Sequence, residues 1–420
     1  MHRGYSGRAR RGSSQNWRGS PFSPHVSQAH FGDMLPAERL LQEGLVPHAL
    51  QTISTSNLTA GTSSTDIQLT DFEYLASYNW LDETSPTILI PGSPPIWANR
   101  SLPYQVPFDT VVIVDQHGYR IPEYKLLPLI VAVEEHHDSQ TEPFPWNSID
   151  IVTDRNNLRK LFKWVNRANA NPEEFRIDLH LAGGHTVLMN RWHKQDRERG
   201  SGCRFNFERA STRYPPGYER SVSHHRIVRY NMNGLSMVVR FDVDACYPAE
   251  APHTLSTDDT SVDDLVGALA GVNIGAPLNA AETANVSGIS VRRGGTLVPQ
   301  SSLIELTTRS GANREFYDWR VSYPQSFLSE ISNHILAIHR RGRFEVVEER
   351  RLSSGDRGQL QTEFQDRFKK LHSLLKFIRE LVISHGRSGA LTLVCEGHEL
   401  RVYQRVVQAS CLPDEYLARF

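Results

Sequence analysis

Four acidic side chains stand at positions where they could hold a metal ion. In GLSMVVRFDVDAC, apolar and polar residues alternate from Met237 on, so Val239, Phe241 and Val243 share one face of a strand. Arg240, Asp242 and Asp244 share the other. A second strand, SSLIELTTR, sets Leu303, Glu305, Thr307 and Arg309 on one face and Ile304 and Leu306 on the other. Glu208 ends the run Phe205-Asn206-Phe207-Glu208, which the same alternation predicts as a third strand. A carboxylate leaving a mostly apolar strand is costly if buried unpaired. Such acids converging on one point make an oxygen-rich cage for a hard cation, Mg²⁺ or Mn²⁺. A cation held there clamps a phosphodiester and helps to generate hydroxide. The bland alternative is a set of separate acids on half-exposed strands, which alternation also produces.

The surrounding elements must position these acids. Leu126 to Glu135 reads as a short helix. NNLRKLFKWV places Leu158, Leu161, Phe162 and Val165 on one helical face. FRIDLHL and HTVLMNRW read as strands around Gly183-Gly184. Trp319 to Val347 reads as helix, turn, strand. Phe364, Phe368, Leu371, Leu375, Ile378 and Val382 mark a long amphipathic helix, and ALTLVCEGHELRVYQRV reads as two strands. Strands and helices mix without regular alternation, so the class is α+β with a mixed sheet core flanked by helices. Residues 1–30 form an Arg/Gly/Ser-rich tail that cannot bury enough apolar surface to order itself. As an arm, its arginines would suit weak contact with RNA phosphate. Residues 31–420 read as one domain, with a polar insertion at about 248–295.

Composition narrows the classes. The chain has 420 residues, 46 Lys plus Arg and 47 Asp plus Glu, for a formal charge of −1. That excludes a polybasic coat but not a local basic cleft. No apolar stretch nears the roughly 18 residues of a membrane span, and the start lacks the apolar core of a secretory signal. The 4 cysteines form no CxxC pair, which fits a reducing intracellular compartment, nucleus or cytoplasm.

The ordered set of motifs resembles the DXO-type decapping exonucleases of the PD-(D/E)XK nuclease superfamily. IVTDRNNLRK offers Arg155 where that family carries an early Arg. Arg204-Phe205-Asn206-Phe207-Glu208 stands for its Gly-Φ-x-Φ-Glu, with Arg in the Gly place. Asp242-Val243-Asp244 stands for Glu-x-Asp, and Glu305-Leu306-Thr307 for Glu-Φ-Lys. YPQSFLSEISNHILAIHRRGRFEVV matches its W-x-QSFL segment at Gln325, with Trp319 upstream. The resemblance implies that Glu208, Asp242, Asp244 and Glu305 ligate Mg²⁺ or Mn²⁺, and that Arg155 and Gln325 contact the RNA or shape its 5′ end. It implies removal of non-standard or incomplete caps or a 5′ triphosphate, with 5′-3′ exonuclease activity in some members. One branch of that family binds a nuclear 5′-3′ exonuclease. Two departures matter. Thr307 lacks the charge and reach of the family Lys, and Asp242 draws its carboxylate back by about 1.5 Å. The alternative is a catalytically degenerate protein of the same fold that binds RNA or an exonuclease.

Other motifs point elsewhere or nowhere. DDTSVDD, Asp258 to Asp264, is like the Asp-rich diphosphate motif of prenyl diphosphate synthases, but it has no second copy and sits in a polar stretch. His136-His137 and His224-His225 are adjacent pairs whose side chains diverge, so one metal would not use both members. No G-x-S-x-G, Walker loop or G-x-G-x-x-G is present.

Overall fold

Alternation builds the central strands, and it fills both of their faces. In Leu235–Asp242, Met237, Val239 and Phe241 enter one core and Val238 enters another. Ile151 and Val152 divide in the same way, as do Val228 and Ile227. Strands buried on both faces require a covering layer on each side. The computed structural model describes residues 35, 37–56, 58, 65–137, 143–166, 173–248, 284–311, 318–386 and 389–420. The N-terminal tail of residues 1–30 and the DDTSVDD segment lie outside the described residues.

The strands used below are β1 (Leu69–Leu81), β2 (Ile151–Asp154), β3 (Phe175–Ala182), β4 (Thr186–Arg191), β5 (Ser221–Met232), β6 (Leu235–Asp242), β7 (Leu303–Ser310), β8 (Asn333–Arg340), β9 (Arg343–Arg351), β10 (Leu391–Glu396) and β11 (Glu399–Gln404). The helices are α1 (Leu127–His137), α2 (Arg155–Asn166), α3 (Arg204–Ser211), α4 (Tyr323–Ser329) and α5 (Ser354–His385). A 12-stranded sheet runs β11-β10-β3-β4-β2-β6-β5-β1 through its middle. In it β2 is parallel to both β4 and β6, while β5 is antiparallel to β6 and β1. A 7-stranded sheet contains Ala245–Cys246, β7, β8 and β9 as consecutive neighbours. The mixed α+β architecture is the one the sequence predicts.

Two helices cover one face of the large sheet. Leu158, Leu161, Phe162 and Val165 of α2 are all buried, and each contributes about 1.5–3 kcal/mol by leaving water. They meet α5, where the Phe162 and Phe368 ring centroids lie 5.1 Å apart. On the opposite face, Leu127 to Val133 of α1 are buried. No helix among the described residues is long and apolar enough to cross a membrane.

α5 begins ten residues before the first apolar marker the periodicity identifies, because a capping box starts it. Ser353 Oγ accepts from the Asp356 amide at 3.1 Å, and Asp356 Oδ2 accepts from the Ser353 amide at 3.3 Å. Ser353→Ala should lower stability by about 1 kcal/mol, read as a drop in the urea midpoint with an unchanged slope.

Part of the expected polar loop is ordered sheet. Residues 249–283 lie outside the described residues, but Ala284–Val286 and Ile289–Gly295 are strands. Ile289–Gly295 runs parallel to Thr87–Gly92 and buries Ile289 and Val291. Two apolar residues at alternate positions suffice when a neighbouring strand supplies the ladder.

Candidate functional site

The two sheets meet where β6 ends. The Val243 amide donates to His224 O at 3.0 Å, and two residues later Ala245–Cys246 joins the second sheet opposite Ile304 and Leu303. The crossover leaves Asp244 between the sheets. Its Oδ2 accepts from the Leu306 amide at 2.8 Å, one residue beyond Glu305 on β7. Ile304 and Leu306 pack toward α3, whereas Leu303 packs into the large core, so β7 turns its two faces as the alternation predicts.

Glu208 reaches this junction from a helix. Phe205-Asn206-Phe207-Glu208, expected as strand, lies in α3 instead. Phe207 is fully buried against Trp97, Tyr104 and Phe344, and Asp109 accepts from the Phe205 and Asn206 amides at the helix start. Four residues alternating by chance carry less weight than one anchored aromatic and two satisfied amides. The helix brings Arg204 and Glu208 together at i,i+4, with Arg204 Nε 2.7 Å from Glu208 Oε1. The Arg204 guanidinium also lies 3.5 Å from Asp244 Oδ1.

Glu305 is held from the α2 and α4 side. Its side chain is 4% exposed. Arg155 Nη1 donates to Oε1, and Gln325 Nε2 donates to Oε2. Arg155 also donates to Ser329 Oγ at 2.9 Å and to the Asp242 carbonyl at 3.4 Å. Arg159 Nη1 donates to Gln325 Oε1 at 3.1 Å, so a chain of polar side chains runs from α2 through α4 to β7.

Glu208, Asp244 and Glu305 share one electrostatic field. Burial, and then Glu208, lift the Asp244 carboxyl well above the usual carboxylate range; Arg204 opposes this without cancelling it, and Glu305 adds to it. Burial also raises Glu208, against the pull of Arg204. Acids that stay raised beside an arginine lack positive charge. Three hard oxygen donors short of positive charge suit Mg²⁺ or Mn²⁺ in chemistry. Arg204 contacts two of them, Glu208 and Asp244. Among the described residues, no three His, Cys, Asp or Glu side chains converge as a metal requires.

Asp242 differs from its neighbours. It stands at the rim with its side chain 58% exposed, and its Oδ1 lies 2.7 Å from His225 Nδ1. Crowding by the surrounding chain resists its ionisation despite that exposure, but His225, then Arg191 and Arg155, outweigh it and hold its carboxyl below the usual range. Thr307 and Arg309 follow Glu305 along β7, half-buried and exposed respectively.

Sequence reasoning missed the roles of Arg204, Arg159, Ser329 and His225. His225 carries the one available signal. In a strand, His224 and His225 must point to opposite faces. His224 Nδ1 meets Asn79 Oδ1 at 2.6 Å, while His225 faces Asp242. A cavity of about 230 Å³ lies beyond α4, lined by Tyr323, Ser326, Phe327, Glu330 and Arg357. It contains none of these four acids.

The fold is similar to that of Rai1 from Candida albicans, solved in complex with pU5-Mn²⁺, at 11% identity over 89% of this chain and 99% of that one, with a TM-score of 0.54. Rai1 from Scheffersomyces stipitis is similar at 12% identity over 89% and 99% of the two chains, with a TM-score of 0.53. The same Rai1 in complex with (3′-NADP)⁺ and calcium ion gives 11% identity, 84% and 93% coverage, and a TM-score of 0.51. At such identities the likeness is one of fold, and it agrees with the architecture that the motif resemblance implies. No curated protein matches the chain in sequence. The family model that does match, described as Domain of unknown function (DUF8563), spans residues 49–420, and the chain belongs to that family.

Proposed function

We propose that the chain acts on RNA 5′ ends, hydrolysing a phosphate linkage of a non-standard or incomplete cap or of a 5′ triphosphate. The observation that carries this reading is the carboxylate trio Glu208, Asp244 and Glu305 at the sheet junction, raised in two of its members. Its support is the shared fold with a protein solved with pU5-Mn²⁺. The motif resemblance implies Mg²⁺ or Mn²⁺ on Glu208, Asp242, Asp244 and Glu305, but as placed these acids do not converge on one point among the described residues, so no step is routed through a cation.

The chain's own residues then have distinct tasks. Arg155 and Gln325 fix both oxygens of Glu305, which presents that carboxylate in one orientation. Arg155 Nη2, which donates to the Asp242 carbonyl only at 3.4 Å, would be the group for an adjacent phosphate. Thr307 carries no charge for the transition state, so turnover should be slow. The second reading, an RNA- or exonuclease-binding protein without turnover, is favoured by Thr307 and by the arginines already lodged among the acids. Either activity would operate where RNA 5′ ends occur, in the nucleus or cytoplasm.

The test uses RNA bearing a 5′ triphosphate, an NAD cap or an unmethylated cap, with Mn²⁺. Wild type should release the 5′ product above Glu305→Gln and Asp244→Asn, both of which keep side-chain volume. Equal release from all three would sink the hydrolase reading. Retained binding of the 5′-labelled RNA would then establish the second one.

A further inference from the structure

We propose that Arg159, Lys160 and Arg191 form a phosphate-binding site on the α2 side of the large sheet, at the carboxyl ends of its parallel strands. The site depends on the RNA reading above only for the source of the phosphate.

Topology brings the three cations together. β2 lies between β4 and β6 and is parallel to both, so the three strands end along one edge. Ligands of open α/β sheets bind outside such an edge. α2 starts there, directly after β2, and Asn157 Nδ2 donates to the Met189 carbonyl of β4 at 3.0 Å. Val187 and Met189 enter the core that α2 covers, and alternation puts Arg191 on that same side of β4. Lys160 is one turn beyond Asn157 on the same helix face. Its side chain leans toward the helix start, and so toward Arg191.

Charge is the second argument. Arg155 is paired with Glu305 and Arg240 with Asp154. Among the described residues, no carboxylate forms an ion pair with Arg159, Lys160 or Arg191. Their partners are neutral or missing. Arg159 Nη1 donates to Gln325 Oε1 at 3.1 Å, and its buried Nε has no acceptor. Arg191 Nε donates to His193 Nε2 at 2.5 Å, and Nη2 donates to the Val114 carbonyl at 3.0 Å. Lys160 is 7% exposed, and its Nζ has no acceptor among the described residues. A buried ammonium without a partner is costly. Burial, then Arg191, lowers Lys160 to about 8; Glu173 and Asp115 oppose this without cancelling it. Those two acids are spent elsewhere, on Lys163 at 2.7 Å and Lys125 at 3.5 Å.

A phosphate supplies what the three cations lack. Its oxygens accept from an ammonium and from guanidinium forks, and a dianionic monoester neutralises two of the three charges. Arg159 is only half-buried, so the cluster reaches water. Through Gln325 it also adjoins Glu305, which places a bound phosphate beside the candidate site.

Titration of the full chain with inorganic phosphate, at pH 7 and constant ionic strength, is the test. Calorimetry should show binding at least about tenfold weaker in Lys160→Met and in Arg159→Gln, the loss of one charge-assisted hydrogen bond. Lys163→Gln, one turn along α2 and paired with Glu173, should bind as wild type does. Without phosphate, Lys160→Met should melt about 1–3 °C above wild type, because an unpaired buried charge is gone. No phosphate binding by wild type would overturn the site. So would unchanged affinity in both folded variants, or an equal loss in Lys163→Gln. A short RNA with a 5′ phosphate and the same RNA with a 5′ hydroxyl then separate the sources. A Lys160→Met loss confined to the first assigns the terminal phosphate, and an equal loss in both assigns a backbone phosphate. Phosphate binding that depends on Lys160, with no binding of either RNA, would uphold the site and overturn the RNA reading.

Discussion

Replacing Arg240 by methionine should cost about 3–5 kcal/mol of folding stability. Arg240 is 1% exposed near the end of β6, paired in parallel register with Asp154 on β2. Its Nε and Nη2 donate to the two Asp154 oxygens at 2.7 and 3.0 Å, a bidentate geometry. Its Nη1 donates to Tyr78 Oη at 3.1 Å and to the Lys125 carbonyl at 3.0 Å. Methionine fills the space but leaves the buried Asp154 carboxylate without its cation and the Lys125 carbonyl without a donor. Chemical denaturation should show the loss. The double variant Arg240→Met, Asp154→Leu should recover most of it, since an apolar pair of similar volume is often neutral. A single-variant cost below about 1 kcal/mol would mean that water reaches the pair. The consequence for the site is direct, because Asp242 is two residues on along the same strand.

Acid should unfold this protein from the histidines as much as from the carboxylates. Burial, then Arg240, pushes His117 well below its ordinary value, and burial, then Arg226, does the same to His224. Burial, then Arg405, lowers His180 to about 3. Tyr78 accepts from Arg240, so its one proton goes to His117 Nε2 at 2.6 Å, which fixes that ring as a neutral acceptor. The sign follows from linkage. A histidine whose folded value is depressed binds a proton in the unfolded chain first. Its contribution is present above pH 6.5 and is lost as pH falls toward the folded value. His117 and His224 together should remove on the order of 3 kcal/mol between pH 6.5 and 5. Asp244 and Glu208 work oppositely, since raised carboxyls gain protons in the fold and favour it as pH falls through their raised range. A urea titration at each pH would show stability declining below pH 6.5. His180→Gln, whose partner is Arg405, should flatten that decline. A flat profile from pH 7 to 5 in wild type would refute the assignment.

Much of the scaffold was legible because periodicity reports which face a local segment buries. The alternation of β6 and β7 and the heptad-like spacing of α2 and α5 each depend on residues within a few positions. The order of Arg155, Glu208, Asp242, Asp244, Glu305 and Gln325 was likewise readable along the chain. The tertiary structure alone decided their pairing. Arg155 meets Glu305 across 150 positions, and Arg204 meets Asp244 across 40. It also made Phe205 to Glu208 a helix, because Phe207 finds a distant aromatic pocket that outweighs a local alternation. Local pattern fixes which side of a strand or helix is apolar through short-range sterics and burial. Charge compensation depends on distances between elements far apart in sequence, and those exist only once two sheets are joined at Asp244.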